Sequence, residues 1–237
     1  MPFGLGLFYD IKKEDKGMFL TKEKLWRRVN ELGGRRYAVI ESLFPFFSME
    51  DTGGPDEVRL SFPGKIRGER KQRMDFFTGL DKYLWLQKEI QLPEAQPGRT
   101  LVGLFDFGKT GGGHNSGFES LLFVDGVKRQ GVDSNHCEVM FDDLAGNRAE
   151  LTFLLWSGLE GSDIFHEKQY HQLRRAELAW LHNDANALYY QGRAMLEKLD
   201  QLEETCELFQ DLLQLLNRAF LLLDWDTDRL YDTVPGA

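Results

Sequence analysis

Hydrophobic positions follow two different periods along this chain. Between Thr21 and about Gly33, Leu25, Val29 and Leu32 recur at helical spacing, which predicts a short amphipathic helix capped by Thr21 and stopped at Gly33-Gly34. Residues 36–49 are apolar and aromatic around Pro45 and fit neither period, and residues 51–56 carry the turn chemistry of a loop. From about Glu57 to Gly161 the period shortens to two. Runs of strand length at 57–62, 82–92, 100–107, 118–125, 127–130, 137–141 and 150–156 alternate with turn-rich stretches. In the second run Leu84, Leu86, Ile90 and Leu92 share one face, and Tyr83, Trp85, Gln87, Glu89 and Gln91 share the other, so one face is predicted in the core and the other partly wet. Asp125-Gly126, between two β-rich arms, predicts a tight hairpin, because such a turn needs positive φ at both central residues.

After Gly161 the period returns to about 3.6, and no proline occurs from Ser162 through Val234. Two long helices over 163–201 and 203–224, packed as a hairpin, are predicted. The second is apolar over more than one stripe, so it must be covered by the sandwich, by the first helix, or by something outside this chain. The expected class is therefore α+β: an antiparallel β-sandwich over 56–161, a helical and irregular opening segment over 1–55, and a helical connector over 162–237.

Composition narrows the function classes. Among 237 residues, 38 acidic against 29 basic leave a net charge of −9, and no basic stripe offsets it, which argues against tracking a phosphate backbone. Thirteen per cent aromatic and 42% hydrophobic residues suffice for a buried core, while no apolar run approaches the ~18 residues of a membrane span. The apolar start at Met1 to Phe8 lacks a preceding basic patch, so no secretory signal is read there and the expected location is cytoplasmic. Cys137 and Cys206 lack CxxC spacing and are expected as free thiols.

Candidate chemistry is sparse. No Gly-x-Ser-x-Gly elbow occurs, and the run Gly108 to His114 departs from the phosphate-loop pattern and precedes strand-like sequence, so a long β-loop is the better reading. His166 and His171 would stand about 140° apart on a helix, which excludes an i, i+4 metal pair. They are expected to be solvated or capping, and His182 is expected on a helix surface. His114 and His136 flank the predicted hairpin and could converge with Asp133 and Asn135 as a polar cluster, although loop structure explains them equally well. Trp85 and Trp156 are candidate sugar-stacking faces, against the alternative that strand tryptophans belong to the core.

Three segments in order carry a resemblance. Gly108-Lys109-Thr110-Gly111-Gly112-Gly113, leading through Gly117-Phe118-Glu119-Ser120-Leu121-Leu122-Phe123-Val124-Asp125-Gly126 to Gly131-Val132-Asp133-Ser134-Asn135-His136-Cys137-Glu138-Val139, resembles the amino-terminal β-domain of glycoside hydrolase family 38 α-mannosidases of bacterial and cytosolic type. Leu154-Leu155-Trp156-Ser157-Gly158-Leu159-Glu160-Gly161 resembles that domain's last strand and exit loop. Arg175-Ala176-Glu177-Leu178-Ala179-Trp180-Leu181 with Leu188-Tyr189-Tyr190 resembles the helical connector that follows.

The resemblance covers about residues 84–225 and implies a jelly-roll sandwich of galactose-binding type. It further implies a parent that hydrolyses α-mannosidic bonds with retention, using an aspartate nucleophile and zinc or another divalent metal. Those residues belong to a catalytic domain marked by a Gly-His-Thr-His-Ile-Asp-type strand end, which does not occur here. No catalytic or metal-ligating residue and no cofactor is therefore assigned to this chain, which is expected to end about where the catalytic domain begins. The Asp133 to His136 loop, with His114, is the candidate rim of that domain's sugar site. The implied partners are the catalytic domain of the same parent chain and a mannose-containing oligosaccharide, with no nucleic acid and no membrane. The alternatives are a stand-alone carbohydrate-binding sandwich and an oligomerisation module that forms homo-oligomers.

Overall fold

The computed structural model describes residues 21–51, 62–78, 82–108, 118–158 and 170–225, and these form two compact units, 34–187 and 21–33 with 188–225. In the larger unit every strand pair is antiparallel. One sheet has the order β1 (Tyr37–Ser42), β12 (Arg175–His182), β6 (Arg99–Asp106), β9 (Glu138–Met140). The other has the order β3 (Glu69–Lys71), β2 (Phe46–Asp51), β5 (Tyr83–Gln91), β10 (Arg148–Trp156), β7 (Glu119–Val124), β8 (Val127–Asp133). A two-stranded ribbon pairs β11 (Tyr170–Gln172) with β4 (Phe76–Thr78). The chain crosses between the sheets at β1 to β2, β5 to β6, β6 to β7, β8 to β9 and β9 to β10, and returns from β10 through β11 of the ribbon to β12. This is an antiparallel β-sandwich of two sheets within an α+β chain.

The inner faces follow the alternation legible in β5. Leu84, Leu86 and Ile90 share one buried cluster with Leu101 and Phe105 of β6, Leu178 and Trp180 of β12, and Leu151, Phe153 and Leu155 of β10. Phe153 is the aromatic hub, edge-on to Phe46 and Phe107 and tilted against Phe105 at 4.7 Å between ring centroids. The predicted hairpin joins β7 to β8: Asp125 and Gly126 have φ of 49° and 78°, and the Asp125 Oδ1 accepts the Glu150 amide at 2.8 Å, tying the turn to β10.

Several expectations are corrected. Residues 36–49, which fit neither period, hold β1 and most of β2 on either side of Pro45, with a register shift in β1 between Val39 and Glu41, and β2 runs on to Asp51, expected in a loop. The outer face of β5 is partly wet as expected, with Glu89 and Gln91 exposed and Trp85 and Gln87 buried. The helix predicted over 163–201 begins only at Asn183, because residues 175–182 form β12 and 170–172 form β11. The reason lies in β12 itself: Ala176, Leu178 and Trp180 enter the inter-sheet core while Ala179 and Leu181 are buried on the other face with Val102 and Leu104. A strand apolar on both faces loses its alternation, and one rich in Ala, Leu and Glu then reads as helix. The predicted strand at 57–62 lies, except for Phe62, outside the described residues.

In the smaller unit, α1 (Lys22–Arg35) buries the predicted Leu25, Val29 and Leu32, and Thr21 Oγ1 accepts the Lys24 amide at 3.2 Å as its cap. The helix does not stop at Gly33-Gly34. The missing side chain of Gly33 makes room for the Tyr189 ring, which a Cβ there would meet at 2.7 Å, so this glycine serves packing. α2 (Asn183–Leu199) ends in this unit, and α3 (Glu207–Leu221) buries Phe209, Leu213, Leu216 and Phe220. Gly192 of α2 lets it approach Val29 and Phe220 closely, since a Cβ would stand 3.1 Å from each.

Candidate functional site

The crossover from β8 to β9 carries the motif Asp133-Ser134-Asn135-His136, and the structure shows what each side chain does. The Asp133 Oδ1 accepts the amides of Asn135 at 2.7 Å and His136 at 2.8 Å, and its carboxylate pairs with His136 Nδ1 at 3.0 Å. One carboxylate thus fixes the whole turn. Upstream, Arg129 bonds both carboxylate oxygens of Asp143 at 2.7 Å and the Met140 carbonyl at 3.1 Å, clamping β8 to the end of β9. The turn is therefore held at both ends, with the His136 side chain 71% exposed and Asn135 exposed beside it.

Burial alone would raise the Asp133 pKa, but hydrogen bonds from the His136 ring and from the two amides outweigh it and hold the carboxyl below its ordinary value. A depressed folded-state value means the turn's electrostatic support is complete above the unfolded carboxylate range, near ~4, and is lost as pH falls through the folded value. Asp133→Ala is expected to cost about 1 kcal/mol and to abolish the acid transition of the Asn135 and His136 amide resonances; an unchanged transition would assign it to another group. Beside the turn, burial and the neighbouring Glu138 push the Cys137 thiol up, so it stays protonated at neutral pH. Neither Cys137 nor Cys206 is in a disulfide.

The other sequence candidates are not brought together with this turn. His114 lies outside the described residues. Trp85 is 2% exposed and packs with Ile66, Phe123 and Leu154, its Nε1 donating to Asp51 at 3.1 Å. Of the two readings given for Trp85, its burial matches the core one. Trp156 ends β10 half-buried, between Tyr83 of β5 and Glu119 of β7. His166 is outside the described residues, and His171, expected on a surface, is buried in β11 against Phe77 with Nε2 donating to the Ser157 carbonyl at 3.2 Å. Burial lowers its pKa and keeps the ring neutral. His182 ends β12, and its Nδ1 accepts the Ala185 amide at 3.2 Å, capping α2. Among the described residues no three His, Cys, Asp or Glu side chains are placed to hold a metal, and no helix is long and apolar enough to cross a membrane.

Sequence reasoning missed a second feature, on the outer face of the six-stranded sheet. Residues 62–68 cross that face as a strap, laying Phe62 and Ile66 over Trp85 and Phe123. Gln87 anchors it: its Oε1 accepts the Ile66 amide at 2.7 Å, and its Nε2 donates to the Gly64 carbonyl at 2.8 Å and to Thr152 Oγ1 at 3.2 Å. At Gly68 the strap comes so close to β2 that a Cβ would stand 2.0 Å from the Ser48 carbonyl oxygen. Where the strap stops covering the sheet, a groove of about 400 Å³ opens beside Phe47, Arg70, Glu89 and Glu150. The only sequence signal for it was the polar turn of β5, where Gln87 and Glu89 follow Trp85 on one face.

No family model and no curated protein matches the sequence. Among solved structures the chain is similar to a Faecalibacterium prausnitzii β-glucuronidase, with TM-score 0.37 and 11% identity over 62% of this chain and 33% of that one. It is also similar to TmCBM61 in complex with β-1,4-galactotriose, with TM-score 0.24 and 15% identity over 60% of this chain and 86% of that one. The chain spans about a third of the length of the glucuronidase. At these identities and TM-scores neither likeness bears on what this chain binds or does.

Proposed function

We propose that this chain is the non-catalytic amino-terminal region of an α-mannosidase of the family 38 type, whose jelly roll places the Asp133 to His136 turn at the rim of a sugar site on a neighbouring catalytic domain. The observation that carries it is the second apolar face of α3. Leu208, Leu215 and Leu222 recur at seven-residue intervals and are exposed, although the helix already buries Phe209, Leu213, Leu216 and Phe220. A helix apolar on two faces has one to dock with. The ordered succession of the three resembling segments supplies the family, and the turn supports the rim role, because Asp133 is spent on geometry while Asn135 and His136 face outward. In this reading zinc or another divalent metal sits in the catalytic domain of the parent, no step of the reaction passes through residues of this chain, and the setting is cytoplasmic with both thiols reduced. Incubating the chain alone with an aryl α-mannoside, with and without zinc, is expected to give no turnover; zinc-dependent release of the aryl alcohol would overturn the non-catalytic assignment.

A further inference from the structure

The groove on the outer face of the six-stranded sheet lies apart from the Asp133 turn and is used by nothing described so far. Its volume of about 400 Å³ is within the range of ligand sites. Phe47 of β2 lines it, 39% exposed, with the Arg70 guanidinium of β3 5.0 Å from the ring centroid. At the other end Lys65 of the strap pairs with Glu89 of β5 at 3.1 Å, and Glu150 of β10 stands in register with Glu89. Phe47 is in register with Gln87 and Glu150 with Glu89, so Phe47 and Glu150 stand two strand spacings across and two residues along the sheet, about 12 Å apart.

We propose that this groove is a binding site for a neutral oligosaccharide, with one pyranose ring against Phe47 and the next ring's hydroxyls shared between Lys65, Glu89 and Glu150. The chemistry of the walls selects this class. A sugar presents an apolar ring face together with hydroxyls that both donate and accept, and the groove presents an aromatic face together with donors (Arg70, Lys65) and acceptors (Glu89, Glu150). An acyl chain or apolar helix would have to desolvate five charged groups, Lys65, Arg70, Lys88, Glu89 and Glu150. The Glu150 carboxyl is further held above its ordinary value by burial and by the neighbouring Glu89, which suits it to hydroxyl contacts. Except for Lys65 these groups stand on paired strands, so little ordering is left to be done on binding.

The assignment rests on the groove's own chemistry and not on the α-mannosidase reading, and the experiment separates the two. The full chain is titrated with α-mannobiose, β-1,4-galactobiose and cellobiose while backbone amide resonances are followed, alongside Phe47→Ala, Phe47→Tyr and Arg70→Ala. At least one disaccharide is expected to shift amides of β2, β5 and β10 at millimolar concentration. Phe47→Ala should weaken that binding about tenfold, as loss of an aromatic anchor does, while Phe47→Tyr retains it. If none of the three shifts these amides, or if the shifts persist in both Phe47→Ala and Arg70→Ala, the proposal is overturned. Binding of galactobiose or cellobiose with no response to mannobiose would support the groove and count against a mannoside-processing parent.

Discussion

Phe153→Ala is expected to destabilise the larger unit by about 4 kcal/mol, the usual cost of deleting a fully buried phenylalanine. Phe153 has no exposed surface and sits where the two inner faces meet, in contact with Phe46 of β2, Phe105 of β6 and Phe107 just beyond it. Removing the ring takes away transfer free energy and leaves a void between rings that cannot close together, since Phe46 is held by one sheet and Phe105 and Phe107 by the strand β6 of the other and its continuation. Against a typical total of about 5–15 kcal/mol, that loss is enough to move much of the population toward the unfolded state at moderate urea. The check is the urea midpoint followed by far-ultraviolet circular dichroism. A loss under about 1 kcal/mol would mean that the sheets are not joined through this aromatic cluster.

Gln87→Leu is expected to cost about 2–3 kcal/mol, and its signature differs. Leucine conserves much of the volume, so the loss comes from the Ile66 amide, the Gly64 carbonyl and the Thr152 hydroxyl, which the glutamine amide satisfies in a buried setting. Without that anchor the 62–68 strap should lift from the sheet before the sandwich unfolds. Trp85, which the strap covers, then reports it through a red-shifted emission below the main transition. Because the strap also forms one wall of the groove, the same variant should weaken saccharide binding without touching Phe47 or Arg70. A single cooperative transition with unshifted tryptophan emission would show that Gln87 serves the sheet and not the strap.

Which parts of this structure were legible in the sequence follows from how each element is buried. β5 shows alternation on its inner face, and Asp125-Gly126 has the conformational signature of its turn, so both follow from local rules. β12 does not, because apolar neighbours on both faces erase the alternation that marks a strand. Trp85 was open to two readings because a strand tryptophan on the outer face is exposed or buried according to whether another segment crosses it, and the strap is brought there by one buried glutamine far along the chain. The Asp133 turn could be located by its residue types, but not its division of labour: sequence pairs Asp133 and His136 as equals, whereas the geometry makes one the scaffold and leaves the other exposed. The groove depends on register between four strands and on where the strap ends, and no local pattern carries that information.

Leu208, Leu215 and Leu222 of one unit and Asn135 and His136 of the other are exposed, and each is given a docking or rim role in the proposed function. The most direct test of the role proposed for them is to read the coding frame downstream of the Ala237 codon. The expected result is an in-frame continuation that opens with a Gly-His-Thr-His-Ile-Asp-type strand end and so supplies the metal-binding catalytic domain. A stop codon with no such domain encoded nearby, or a continuation into an unrelated domain, would contradict the assignment of this chain to an α-mannosidase.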